Sequence, residues 1–198
     1  MSETITCDVI VVGAGIAGAG AAFWLAANGH DTVIVERENP ASGPTGTSSA
    51  ISHLFYMEPE LSQLARRGCQ ILKDIPELTG GPKVFHETGM LWGVGEAAAP
   101  LWSQTVARIR DKEGGGIDTI GLDELARMAP NFELHDLTMG VWEDRYGYGD
   151  PYESANELVR GARTRGARYF GNRSVAAIGT AGGKVTGVTL SDGTQISA

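Results

Sequence analysis

Two short apolar runs dominate the start of the chain. Val9-Ile10-Val11-Val12 has no polar alternation, the pattern of a strand buried on both faces of a parallel sheet, and Thr32-Val33-Ile34-Val35 repeats it. Between them, Ala22-Phe23-Trp24-Leu25-Ala26-Ala27 continues as an apolar helix, and Asn28-Gly29 provides an end that tolerates left-handed backbone. The pattern predicts a β-α-β unit. Further on, the spacing predicts a helix from Pro59 to Asp74 with Leu61, Leu64, Ala65, Ile71 and Leu72 on one face. Two short strands follow around Thr88-Gly89, within Val84 to Val94. Leu101 to Lys112 is an amphipathic helix that ends in the connector Gly114-Gly115-Gly116, and Asp123 to Met128 is a short helix stopped by Pro130.

Val141 onward reads as a strand running into a glycine-rich turn at Gly147-Tyr148-Gly149. Asp150 is placed to cap a helix with Pro151 at its first position, and that helix runs to about Arg165, with Gly166 at its end. Arg168-Tyr169-Phe170 then forms a strand returning to the first sheet. Val175 to Ile178, Lys184 to Leu190 and Gln195 to Ser197 form a meander turning at Gly182-Gly183 and Asp192-Gly193. Residues 1–50 and 151–198 therefore bracket a different middle segment, 51–150, as in an interrupted domain.

The junction between the first strand and helix carries the chemistry. Gly13 begins the turn, Gly15 allows close approach of a pyrophosphate to the backbone, and Gly18 lets the helix lie against the strand it has left. The unpaired amides of the first helical turn, with Ile16 and Ala17 among them, face that position with the positive end of the helix dipole. Glu36 closes the second strand, near the spacing of roughly 20 residues at which an acid meets adenosine ribose hydroxyls. Its charge argues against a 2′-phosphate. The glycine pattern alone is weak in a chain with 28 glycines, and a purely structural β-α-β unit is the competing explanation. Strand, glycines, helix, cap, second strand and acid in this order describe a pocket for the adenosine diphosphate half of a dinucleotide.

Composition narrows the classes. At 198 residues and 42% hydrophobic content the chain suits an ordinary globular protein. A net charge of −8 and a pI near 5.0 argue against nucleic acid or an anionic membrane as the main partner. Cys7 and Cys69 form no disulfide framework, the histidines show no metal-ligand spacing, and a reducing cytoplasm fits them. No apolar run approaches the roughly 18 residues of a membrane span. The polar start Met1-Ser2-Glu3-Thr4 lacks the basic and apolar stretches of a secretory signal.

The loop from Arg37 to Ser49 is dense in Gly, Pro, Ser and Thr. It is either a surface connection or a wall whose hydroxyls and amides line a ligand, since it leaves the carboxyl edge of the second strand.

Taken together, these segments resemble the FAD-dependent oxidoreductases of the D-amino-acid oxidase, glycine oxidase and sarcosine oxidase superfamily. The likeness rests on Asp8 to Glu36, Ser42 to His53, Thr88 to Trp92, the Tyr148-Gly149-Asp150-Pro151 turn with its helix, and Val175 with its meander. It implies an α/β fold: a Rossmann-like FAD-binding domain interrupted by an α+β substrate-domain segment, with an incomplete C-terminal part. It also implies FAD contacts at Gly13, Gly15, Ile16, Ala17, Gly18, Glu36, Arg37, Thr47, Ser48, Ser52, His53 and Val175. For Val175 the alternative is simply a β-branched residue in a sheet.

The resemblance further implies oxidation of the C–N bond of an amino acid or secondary amine, by hydride transfer to flavin N5. The cofactor carries that chemistry, so no Ser-His-Asp set or metal cluster is needed. His53 is the one titratable residue the loop offers as a catalytic group or flavin anchor; the alternative is a satisfied structural histidine. Tyr146, Tyr148 and Arg145 are substrate-pocket candidates on the same terms. Two other readings stand beside this one: an NAD-dependent dehydrogenase built on a similar first unit, and a truncated nucleotide-binding module without catalysis.

Overall fold

The computed structural model describes residues 5–198, so the polar start lies outside the described residues. The first elements in chain order are β1 (Ile5–Thr6), β2 (Val9–Val12), α1 (Ile16–Ala27), β3 (Thr32–Val35) and β4 (Ile51–Ser52). They are followed by α2 (Pro59–Lys73), α3 (Ile75–Thr79), β5 (Phe85–Glu87), β6 (Met90–Val94), α4 (Ala99–Lys112), β7 (Asp118–Ile120) and α5 (Leu122–Met128). The chain ends with β8 (Met139–Glu143), β9 (Gly147–Gly149), α6 (Pro151–Thr164), β10 (Arg168–Phe170), β11 (Val175–Ala181), β12 (Lys184–Leu190) and β13 (Gln195–Ser197). They gather into two compact units, one of residues 1–50, 74–84 and 150–198, the other of residues 51–73 and 85–149.

The first unit is α/β. Its parallel sheet has the order β10-β3-β2, with Val9 to Val12 beside Thr32 to Val35 and Arg168 to Phe170 on the other side. All four residues of β3 are buried, as an unbroken apolar run requires of a central strand. Val33 and Val35 pack with Val188, Leu190 and Ile196 of the meander, so β11-β12-β13 covers one face of the parallel sheet. By the alternation of a strand, Thr32 and Ile34 turn to the other face. Asp150 caps α6 by accepting from the Glu153 amide at 2.9 Å. Glycine at 161 lets α6 meet α1 closely: a Cβ there would stand 2.8 Å from the Phe23 ring. One pairing the sequence pattern does not announce is β1, which joins β13 in parallel and extends the meander to four strands.

The second unit is α+β, with two antiparallel sheets ordered β4-β9-β5 and β6-β8-β7. Its core gathers Leu54, Phe55, Phe85, Ile109, Val141 and Tyr146 with their neighbours. Two sequence expectations change here. Gly147 to Gly149 is a central strand and not a turn, paired with β4 and β5. The two short strands expected around Thr88-Gly89 are present as β5 and β6, which join different sheets. The expected apolar face of α2 is also displaced: Leu64 is 69% exposed, while Ser62 and Cys69 are buried. Ser62 tolerates this position because its hydroxyl donates to the Tyr56 carbonyl at 3.2 Å, so no polar group is stranded. Among the described residues no helix is long and apolar enough to cross a membrane.

Two glycines of the first turn are not interchangeable with alanine. Gly13 has φ +97°, in the left-handed region, and a Cβ on Gly18 would stand 2.0 Å from the Gly13 carbonyl oxygen. Gly18→Ala is therefore expected to cost about 1–3 kcal/mol in urea denaturation through overpacking. Gly20→Ala, whose Cβ would meet nothing within 4 Å, is expected to be neutral or stabilising by up to ~1 kcal/mol.

Candidate nucleotide-binding site

The site in the first unit is built where β2 and β3 end. Glu36, the residue after β3, is only 9% exposed, and its carboxylate spans the glycine turn. Oε2 accepts from the Ala14 amide at 2.7 Å and Oε1 from the Glu38 amide at 2.9 Å. Each oxygen keeps a lone pair, so the acid that holds the turn can still accept from a sugar hydroxyl. The Gly13 amide donates to the Val35 carbonyl at 2.8 Å, which ties the turn to the end of β3 a second time.

The first turn of α1 has no acidic residue. The Ile16 amide donates to Thr45 Oγ1 at 3.0 Å, while Ala17 and Gly18, also in the first turn, have no intrahelical acceptor. An anion at this end meets donors and a favourable dipole. Thr45 is held there because the Ala41 amide donates to the Ala14 carbonyl at 3.1 Å and the Gly46 amide returns to the Ala41 carbonyl at 2.9 Å. The loop thus folds back onto the helix start. Thr45 is absent from the residues expected from sequence. Nothing in a run of threonines and serines distinguishes the one whose hydroxyl reaches an amide 29 positions earlier.

A cleft of about 380 Å³ opens beside the turn, lined by Val12-Gly13, Val35 to Arg37 and Arg173 to Val175. This volume falls within the ~300–1,000 Å³ of small-molecule sites. The structure brings Gly13, Glu36, Arg37 and Val175 together around it. Arg37 is at the surface, its side chain 71% exposed. The expected hydroxyls of Thr47 and Ser48 serve local turns: Thr47 donates to the Pro44 carbonyl at 3.2 Å, and Ser48 accepts from the Ala50 amide at 3.0 Å. The open space at Gly13, the donors at the helix start, the available lone pairs of Glu36 and the cleft volume all fit the adenosine diphosphate part of a cofactor.

Ser52 and His53 belong to the second unit. His53 stacks on Tyr56 with centroids 4.7 Å apart and meets Trp92 edge-on at 5.3 Å; its Nδ1 is buried without a partner among the described residues. Beside it lies a residue the sequence reading missed, Glu143, fully buried on β8. Its carboxylate accepts from the amides of Leu54 and Phe55 and from the Trp92 indole. Burial pushes its pKa up in spite of these donors. Tyr146, a pocket candidate from sequence, is instead a core residue whose pKa burial raises to about 12. Tyr148 is exposed and stacks on His86, and Arg145 is an exposed side chain beside Asp144.

The turn, the acid and the cleft fit a dinucleotide-binding α/β protein. A family profile described as FAD dependent oxidoreductase (DAO) matches residues 8–198, and the chain belongs to that family, whose cofactor is FAD. The anaerobic glycerol-3-phosphate dehydrogenase of Haemophilus influenzae, in one of its polypeptides, is 27% identical over 191 residues, 96% of this chain and 33% of that polypeptide. Among solved structures, L-amino acid deaminase from Proteus myxofaciens matches with a TM-score of 0.87 and 22% identity, covering 99% of this chain and 45% of that one. L-proline dehydrogenase from P. horikoshii matches with a TM-score of 0.85 and 20% identity, covering 99% of this chain and 51% of that one. At these identities the likeness to solved structures is one of fold. The chain spans about half the length of those structures and a third of the curated relative.

Two outcomes follow from the buried carboxylates. Glu36→Gln keeps one acceptor for two amides, so it is expected to lose about 1–3 kcal/mol of stability in urea denaturation. Glu143 has a higher pKa folded than unfolded, so its contribution to stability is fully present below the ordinary carboxylate range and is lost as pH rises through the folded value. Denaturation of wild type and Glu143→Gln from about pH 4 to 7 is expected to show the wild type losing stability relative to the variant as pH rises. A constant difference would contradict this.

Proposed function

We propose that this chain forms the nucleotide-holding part of a flavoenzyme that oxidises the C–N bond of an amino acid or secondary amine in the cytoplasm. The observation that carries the reading is the Glu36 carboxylate, buried at the cleft and bonded to the Ala14 amide at 2.7 Å, which joins the sugar-facing and phosphate-facing halves of one site. Glu36 would take the ribose hydroxyls, and the amides of Ala17 and Gly18 with the Thr45 hydroxyl would take the diphosphate. Residues 173–175 and Arg37 would border the adenosine. When bound, the flavin supplies the acceptor for a hydride at N5. The structural neighbours, an amino acid deaminase and a proline dehydrogenase by name, support an amine or amino-acid substrate. His53 remains the candidate for a group that orients substrate or cofactor.

The alternative of an NAD-dependent dehydrogenase calls for parallel strands continuing after Glu36. Here the chain passes from β3 into the loop, and the next strand added to that sheet is β10. This favours the flavin reading.

Reconstitution tests it. The protein incubated with FAD is expected to turn yellow, to quench flavin fluorescence, and to bleach when an amino acid or secondary amine is added without oxygen. A protein that stays colourless with FAD but binds NADH tightly would overturn the reading; binding of ADP without any bleaching would assign the chain to nucleotide binding alone.

A further inference from the structure

Of the walls of the cleft, two have assigned work under the proposed function: the glycine turn meets phosphate and Glu36 meets sugar. The wall left for the base is residues 173–175, and it contains a side chain the sequence reading passed over. Arg173 follows Asn172, which sits at φ +54° and donates its amide to the Glu38 carbonyl at 3.2 Å. The Arg173 amide donates to the Glu36 carbonyl at 3.0 Å, so this arginine is tied by its backbone to the residue that carries the acid.

Its side chain is fixed as well. Nε lies 3.2 Å from Asp192 Oδ2, and Cζ lies 5.1 Å from the centroid of the Phe170 ring. Asp192 is itself held by the Thr194 amide, which donates to its Oδ1 at 2.9 Å. The Arg173 side chain is 38% exposed, against 71% for Arg37, which pairs with neighbouring Glu38 at 3.6 Å. Of the two arginines at the cleft, Arg173 is therefore the one ordered in advance, and an arginine already ordered loses less entropy on binding. Its terminal Nη groups have no polar partner among the described residues, and they belong to a flat cation at the edge of a site for a flat base.

We propose that Arg173 is a further nucleotide-binding residue, its guanidinium lying against the purine of the bound adenosine and held in place by Asp192 and Phe170. The inference rests on the nucleotide reading of the cleft. Guanidinium planes stack on nucleobases, and such contacts do not depend on phosphate charge. A pair of arginines gripping a 2′-phosphate is the competing chemistry; the Glu36 carboxylate in the same cleft opposes it.

Calorimetric titration with ADP, at low and at high salt, tests the assignment on wild type and on Arg173→Ala, Arg173→Lys and Asp192→Asn, each first shown to unfold at the wild-type temperature. Stacking of a base is worth ~1–3 kcal/mol, so Arg173→Ala is expected to bind ADP about tenfold or more weakly. Arg173→Lys keeps the charge without the plane and is expected to lose nearly as much, with the same ratio at both salt concentrations. Asp192→Asn, which frees the guanidinium, is expected to lose less. Wild-type affinity in Arg173→Ala overturns the inference and leaves the nucleotide site standing. Full rescue by lysine, or a loss that vanishes at high salt, also overturns it by assigning Arg173 to phosphate. A wild-type chain that does not take up ADP removes the nucleotide reading itself.

Discussion

The bond from the Ala14 amide to the Glu36 carboxylate is the constraint on which the glycine turn and the proposed nucleotide site depend. The turn after β2 must reverse sharply to start α1, and it exposes amide donors as it does so. One of them, at Ala14, is buried, and it needs an acceptor. A carboxylate at the end of β3 supplies it, and the charge makes the bond stronger than one to a neutral group. The same acid lies at the edge of the cleft. A group that satisfies a buried donor thus also has lone pairs to offer a ligand in the proposed site.

The rest of the first unit serves this arrangement. β3 must be a central strand for its end to lie beside the end of β2: β10 flanks its far side, the meander packs on the face that carries Val33 and Val35, α1 packs against the strand as well, and all four residues are buried. The meander does more than cover the sheet. Its first residue, Val175, and the two before it form a wall of the cleft, so the strand that seals the core also bounds the ligand space. The loop after Glu36 returns to the start of α1, where Thr45 accepts from the Ile16 amide. Backbone bonds within the loop hold it in this position, which shows how a stretch rich in Gly, Ser and Thr becomes ordered without a core of its own.

Much of this unit was legible in the sequence, because its signals are local and follow one another. Unbroken apolar runs mark β2 and β3, glycines mark the turn, and Asp150-Pro151 marks the start of α6. Where the reading failed, the deciding contacts lie far apart along the chain. Gly147 to Gly149 looks like a turn by composition, yet it pairs with β4 and β5, almost a hundred positions upstream in the first case. The inner line of α2 runs through Ser62, Cys69 and Leu72 and leaves Leu61 and Leu64 exposed, the serine hydroxyl being satisfied by the Tyr56 carbonyl. Thr45, Glu143 and Arg173 escaped notice for the same reason. A threonine in a loop, an acid in a strand and an arginine in a turn are ordinary in a sequence, and only their partners mark them out. The tie of Arg173 to Asp192 joins two turns of the meander region that no short-range pattern connects.

In the proposed function one crevice, bounded by the glycine turn, Glu36 and residues 173–175, receives the adenosine diphosphate part of the cofactor. Backbone amide NMR during titration with ADP reads it most directly, residue by residue and without any need for turnover. The largest saturable shifts are expected on Gly13 to Gly18, Thr45, Glu36 to Arg37 and Arg173 to Val175. Saturable shifts that map elsewhere in the chain, or amides of the glycine turn that do not respond to ADP at all, would contradict it.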